Sequence, residues 1–211
     1  TNLIIQNGHT ITMTNSMTCR DLEVEAGATL LGGSVRTTIQ GEMLINGTFT
    51  GESSTILLKG TESQSISGAG SATFFNIEAD NDAGISANMP ISMKGQLRPT
   101  SGTFNTNNQL TLISNLQGTG SIGTIQAGAD VIGQITMQRF IPTAPQHWVY
   151  LNNPMLNQTL QDWNDDMTTS GFPGSDYPSY NFNNIYSYDE SVAGSKNMGW
   201  VGATNITDAI D

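Results

Sequence analysis

Gly41-Glu42-Met43-Leu44-Ile45-Asn46-Gly47-Thr48-Phe49 reads as a three-residue apolar run, an Asn-Gly turn and the start of a second extended run. Gly and Asn suit such turns because both tolerate positive φ. The phrase returns in altered form as Gly95-Gln96-Leu97-Arg98-Pro99-Thr100-Ser101-Gly102-Thr103-Phe104, and Ala26-Gly27-Ala28-Thr29-Leu30 partly echoes Ala127-Gly128-Ala129-Asp130-Val131. Short β-runs with turns between them, repeated along a chain, predict a solenoid whose coils stack and share a narrow core.

Working outward, similar runs occupy most of residues 1–139: Leu3-Ile4-Ile5, Thr10 to Met13, Leu22-Glu23-Val24, Thr55 to Leu58, Phe74 to Ile77, Ile91-Ser92-Met93, Leu110 to Ile113, Thr124-Ile125 and Val131 to Met137. Asn7-Gly8, Ser101-Gly102 and Asn107-Asn108 punctuate them. Their spacing is irregular. No stretch of ten residues carries a capped 3.6-residue period, so helices are not expected. Outer-face Thr and Asn are expected to form ladders from coil to coil. An antiparallel sandwich or barrel stays open, because spacing does not fix strand order.

Composition agrees with an all-β reading. Hydrophobic residues make up 36% and charged residues 12% of 211, against roughly 45–50% and about 25% in ordinary domains. Thr and Ile fill pleated, half-buried surfaces, which argues against disorder. The net charge of −11 and seven scattered basic residues exclude a nucleic-acid partner, which needs clustered Lys and Arg. No apolar run reaches the ~18–20 residues of a membrane-spanning helix, so membrane insertion is not expected. The single cysteine, Cys19, excludes an internal disulfide framework and a multi-cysteine zinc site; it reads as a small buried residue.

A composition break divides the chain. Residues 1–139 hold four aromatics and no Trp or Tyr, whereas residues 140–211 hold eleven. Basic residues fall from six to one across the same point, and Pro is enriched after it. The expected domains are a solenoid over 1–139 and a second β domain, the start of a sandwich or jelly roll, over 140–211. The chain runs out at Ile206-Thr207-Asp208-Ala209-Ile210-Asp211, so this second domain is expected to be incomplete.

In that second part, Trp148, Trp163 and Trp200 are expected in a sandwich or jelly-roll core, each indole N–H seeking a partner; a sugar-stacking platform is the competing reading. Tyr177, Tyr180, Tyr186 and Tyr188 lie in Pro-, Ser- and Asn-rich sequence where not all can be buried, and are the candidate ligand-binding residues. Asp162, Asp165 and Asp166 are a candidate calcium cluster, since calcium takes several carboxylate and carbonyl oxygens; a solvated loop or helix cap is the competing reading. No other cofactor is expected. The Gly-x-Ser-x-Gly elbow, P-loop and His-Glu-x-x-His motifs are absent. Glu78-Ala79-Asp80-Asn81-Asp82, the nearest approach to a glycosidase carboxylate pair, reads as a solvated turn. Arg20, Arg36, Lys59, Lys94 and Arg98 could line a lyase face only if the fold gathered them. No enzyme is expected.

The ordered phrases Asn46-Gly47-Thr48-Phe49, Gln64-Ser65-Ile66-Ser67-Gly68, Phe75-Asn76-Ile77 and Ser101 to Asn107 before Leu110-Thr111-Leu112 resemble the repetitive β-helical regions of secreted surface proteins of Bacteroidetes. Met137-Gln138-Arg139-Phe140-Ile141-Pro142, followed by His147-Trp148-Val149-Tyr150-Leu151, resembles the strand by which such proteins leave the repeat and enter the next β domain. The resemblance implies a right-handed winding and export by the type IX secretion system, whose machinery would be a partner. It also implies an extracellular or outer-membrane-attached location and a role in surface adhesion, with a glycan or other surface partner. Self-association of a stalk or filament segment, and a β-helical polysaccharide-degrading enzyme, are the alternatives. No sorting domain or signal peptide is visible in the sequence.

Overall fold

The computed structural model describes residues 1–141, 148–151, 153 and 155–210. The chain divides into two compact units, Thr1–Ala144 and Pro145–Asp211. The first is a parallel β-solenoid of about six turns. Each turn contributes one short strand to each of three sheets. The first sheet begins with Leu3–Ile5, Leu22–Val24, Met43–Ile45, Gln64–Ser67 and Ile85–Ala87; the second with Thr10–Thr12, Thr29–Leu31, Thr48–Thr50 and Ser71–Phe74; the third with Met17–Cys19, Arg36–Ile39, Thr55–Leu58 and Asn76–Asp80. Every pairing between successive coils is parallel.

The coil period is about 19 to 21 residues in most turns: Leu3 pairs with Leu22, Thr10 with Thr29 and with Thr48 in turn, and Thr55 with Asn76. The two echoes quoted above do not follow this period. Phe49 lies in the second sheet and Phe104 in the first; Ala28 leads into the second sheet, whereas Ala129 belongs to the first. The echoes record a turn-then-strand chemistry shared by all corners, not one coil stacked on another.

Alternation along each strand sends one side chain inward and the next outward. The inward set, including Val24, Ile45, Ile66, Ile77 and Leu97, is fully buried in one continuous core. Each such side chain contributes about 1.5–3 kcal/mol. Volumes are exchanged between coils. Phe49 stacks beside the small Ala72, and the ring of Phe74, two residues further on, meets Phe49 at 4.9 Å between centroids. Cys19 lies in this core, as expected, and burial is the main cause that pushes its thiol pKa up.

Corners satisfy the backbone where strands stop. Asn81 is buried and donates to the Glu62 carbonyl at 2.8 Å and to Gln64 Oε1 at 2.9 Å; Gln64 Nε2 donates to the Ile39 carbonyl at 3.0 Å. Gln96–Asn105 rounds a corner as one ten-residue strand shared by the third and first sheets, with Gly102 at φ +65°. The run from Val131 to Met137 is not one strand: Gly133 at φ +94° separates Ala129–Ile132 from Ile135–Met137. Thr124-Ile125 lies outside any strand.

The second unit has a small core of Leu160, Phe172 and Ile206, with Trp163 packed against it. Its regular elements among the described residues are a 3-10 turn, Leu160–Trp163, and an antiparallel ribbon of Tyr186–Tyr188 with Trp200–Gly202. The strand expected to run on from Met137 stops there, and Pro142 and His147 lie outside the described residues.

Candidate functional site

Three surfaces bear on function. The first is aromatic. On the ribbon, Tyr188 pairs with Trp200 and Tyr186 with Gly202. Tyr186 and Tyr188, two residues apart, therefore share a face. Trp200 meets Tyr188 edge-on at 4.9 Å between ring centroids and Tyr150 at 6.0 Å; Trp148 meets Tyr186 edge-on at 5.5 Å and Phe182 at 6.0 Å. Edge-on and tilted pairs at this range are the favoured aromatic geometries. All six rings stay exposed: Trp200, at 41%, and Tyr186, at 40%, are as open as many surface polar residues. Trp148 and Trp200 are thus not core residues. The small core has room for Trp163 alone, because a short ribbon and one helical turn cannot enclose three indoles.

The structure therefore assembles Tyr186 and Tyr188 with Trp148 and Trp200, for which a stacking platform is only the second reading of the sequence, and with Tyr150 and Phe182, which are not among the candidate binding residues. The signal was present: Trp148 and Tyr150 alternate in an extended run, as do Tyr186 and Tyr188. What sequence lacks is the pairing that brings Trp200 opposite Tyr188. Tyr177 and Tyr180 are both exposed and outside this ring cluster.

The second surface is an open polar groove of about 560 Å³ lined by Asn164, Asp165, Asp166, Thr168, Asp176 and Tyr177, among others. Near it is the buried Thr169, whose N–H donates to Asp176 Oδ2 at 2.9 Å and whose hydroxyl donates to Asn164 Oδ1. Asp162 does not join Asp165 and Asp166. Its carboxylate turns back to accept from the Thr159 N–H at 2.8 Å and hydroxyl at 3.1 Å, closing a capping box on the 3-10 turn. No group of three or more metal-ligating side chains occurs among the described residues.

The third surface is the outer face of the third solenoid sheet. Glu78 and Asp80 belong to the strand Asn76–Asp80, not to a solvated turn, and alternation turns both outward. Arg36 Nη2 reaches Glu78 Oε2 at 2.7 Å, and Lys59 Nζ reaches Asp80 Oδ2 at 2.6 Å. The hydrogen bond from Lys59, aided by one from Ser101, holds the Asp80 pKa below the ordinary carboxylate value. Arg98 pairs in register with Glu78, while its Nε donates to Gln96 Oε1 at 2.9 Å. The fold thus gathers Arg36, Lys59 and Arg98, with Arg20 beside Asp21 elsewhere. A glycosidase acid must hold a proton near neutral pH; a carboxyl held low by an adjacent ammonium does not suit that task.

Compared with known families, curated proteins and solved structures, the chain matches none.

Proposed function

We propose that the chain is a non-catalytic, adhesin-like surface protein in which the solenoid is a stiff spacer and the second unit binds a glycan. The observation that carries this reading is the exposed face of Trp148, Tyr150, Phe182, Tyr186, Tyr188 and Trp200. Rings packed edge-on and tilted against one another around a paired ribbon are pre-organised, and they offer apolar area against the C–H faces of sugar rings with little rotamer entropy to lose. Tyr177 and the polar groove could add hydroxyl contacts, and calcium at Asp165 and Asp166 would require oxygens from the ligand. The likeness to secreted Bacteroidetes repeats supports an outer-surface location and type IX export.

A glycan array probed with the whole chain, with calcium and with chelator, tests this. Specific binding is expected, reduced about tenfold by Tyr188→Ala or Trp200→Ala, a loss equivalent to ~1.4 kcal/mol. Sensitivity to chelator would assign the acidic groove a metal. No binding in either condition would leave the second reading, a structural stalk, which the run of parallel coils favours.

A further inference from the structure

The three outer faces of the solenoid differ in charge. The first sheet turns Glu23 and Asp130 outward, and the third carries Arg36, Glu78, Asp80 and Arg98. None of the strands of the second sheet contains a charged residue. Its outward positions are almost all hydroxyls. One column runs Thr10, Thr29, Thr48, Ser71; a second runs Thr12, Leu31, Thr50, Thr73, Ser92, Thr111, Thr136, through seven strands without a shift of register. The result is a two-column array over the first four strands that continues as a single column over the last three. Its spacing is about 4.8 Å from strand to strand and about 6.7 Å between alternate residues.

These hydroxyls are also free. Some hydroxyls elsewhere on the solenoid are engaged, Thr100 with the Ala79 carbonyl, Ser101 with Asp80 and Thr106 with the Gln134 carbonyl. Among the described residues, the second-sheet hydroxyls make no such bond. The coil-to-coil Thr ladder expected from sequence does not form there. Neighbours stand a strand spacing apart, too far for a hydroxyl–hydroxyl bond of about 2.7–2.8 Å.

We propose that this face binds ice. Each Thr hydroxyl can donate one hydrogen bond and accept others. β-branching restricts its rotamers, so hydroxyl and methyl stay aligned from coil to coil. The two spacings lie close to oxygen repeats on faces of hexagonal ice, and the lattice, like this face, carries no net charge. A charged side chain would hold its own hydration shell and break the match. Many weak contacts made together by one rigid body give adhesion that no single contact could. A soluble glycan is the poorer occupant, because the face offers no aromatic platform. The inference is independent of the aromatic face in the second unit.

The test uses the whole chain in ice-recrystallisation and ice-shaping assays, with serum albumin as control. The chain should facet growing crystals and inhibit recrystallisation. Thr73→Tyr, which raises a ring above the array, should weaken inhibition about tenfold, the scale of losing a central contact. Ser86→Tyr, on the first sheet, should leave it unchanged, with equal thermal melting by circular dichroism. Should Thr73→Tyr melt early, Thr50→Lys replaces it, and undiminished inhibition in that variant overturns the proposal. Crystals that stay rounded with the unaltered chain overturn it as well. So does equal loss in Ser86→Tyr, or retention on crystalline cellulose or chitin without any effect on ice.

Discussion

At the scale of single residues, the solenoid depends on positions where an added atom has nowhere to go. Gly102 adopts φ +65° at the corner where one strand passes from the third sheet to the first, and a Cβ there would overlap the carbonyl oxygen of Asn81. That carbonyl belongs to the preceding coil, so the clash is between coils and cannot be relieved by a rotamer. Gly102→Ala is expected to destabilise by more than about 1 kcal/mol, read as a lower chemical-denaturation midpoint. A midpoint equal to that of the parent chain would mean the corner is not built this way. Asn107 and Asn108 occupy the left-handed region at a different corner, at φ +46° and +62°, which Asn tolerates far better than most side chains.

At the scale of elements, the third sheet is stitched across coils by ion pairs. Lys59, just after one strand, pairs with Asp80 of the next, while the Arg36–Glu78 pair spans the strand between its partners, in which Leu57, in register with Glu78, faces outward yet is buried. The Asp80 pKa is depressed, so its contribution to stability is present above the ordinary carboxylate value and lost as pH falls through the lower, native value. The Lys59 pKa is raised, which places the matching loss at the alkaline end. Lys59→Met should therefore narrow the difference in melting temperature between neutral pH and about pH 3. The change should be small, a few degrees at most, because the pair is partly solvated. A difference unchanged by the substitution would show that acid sensitivity arises elsewhere.

At the scale of the whole molecule, the two units have unequal cores. The solenoid core is continuous over its coils, whereas the second unit rests on Leu160, Phe172 and Ile206. Small cores bury too little surface to be robust. All three Trp residues fall in the second unit, so tryptophan fluorescence reports it alone, while far-UV circular dichroism is dominated by the solenoid. Fluorescence is expected to change at lower urea than circular dichroism; coincident midpoints would instead indicate a single cooperative unit.

Sequence alone determined the β class, the stacking of short strands, the change of character near residue 140 and the burial of Cys19. Each rests on local chemistry: β-branched runs, turn residues and composition act within a few positions. Only the tertiary structure decided which run stacks on which. The visible echoes joined strands of different sheets, because every corner uses similar turn residues, and the true period emerged only from backbone pairing between coils. The same pairing turned Glu78 and Asp80 from a supposed loop into ion-paired strand residues and brought Trp200 opposite Tyr188. It also aligned Thr12, Thr50, Thr73 and Thr111 into one column. These are contacts between residues about twenty or more positions apart, or across a ribbon whose register the sequence does not state, and no local preference encodes them.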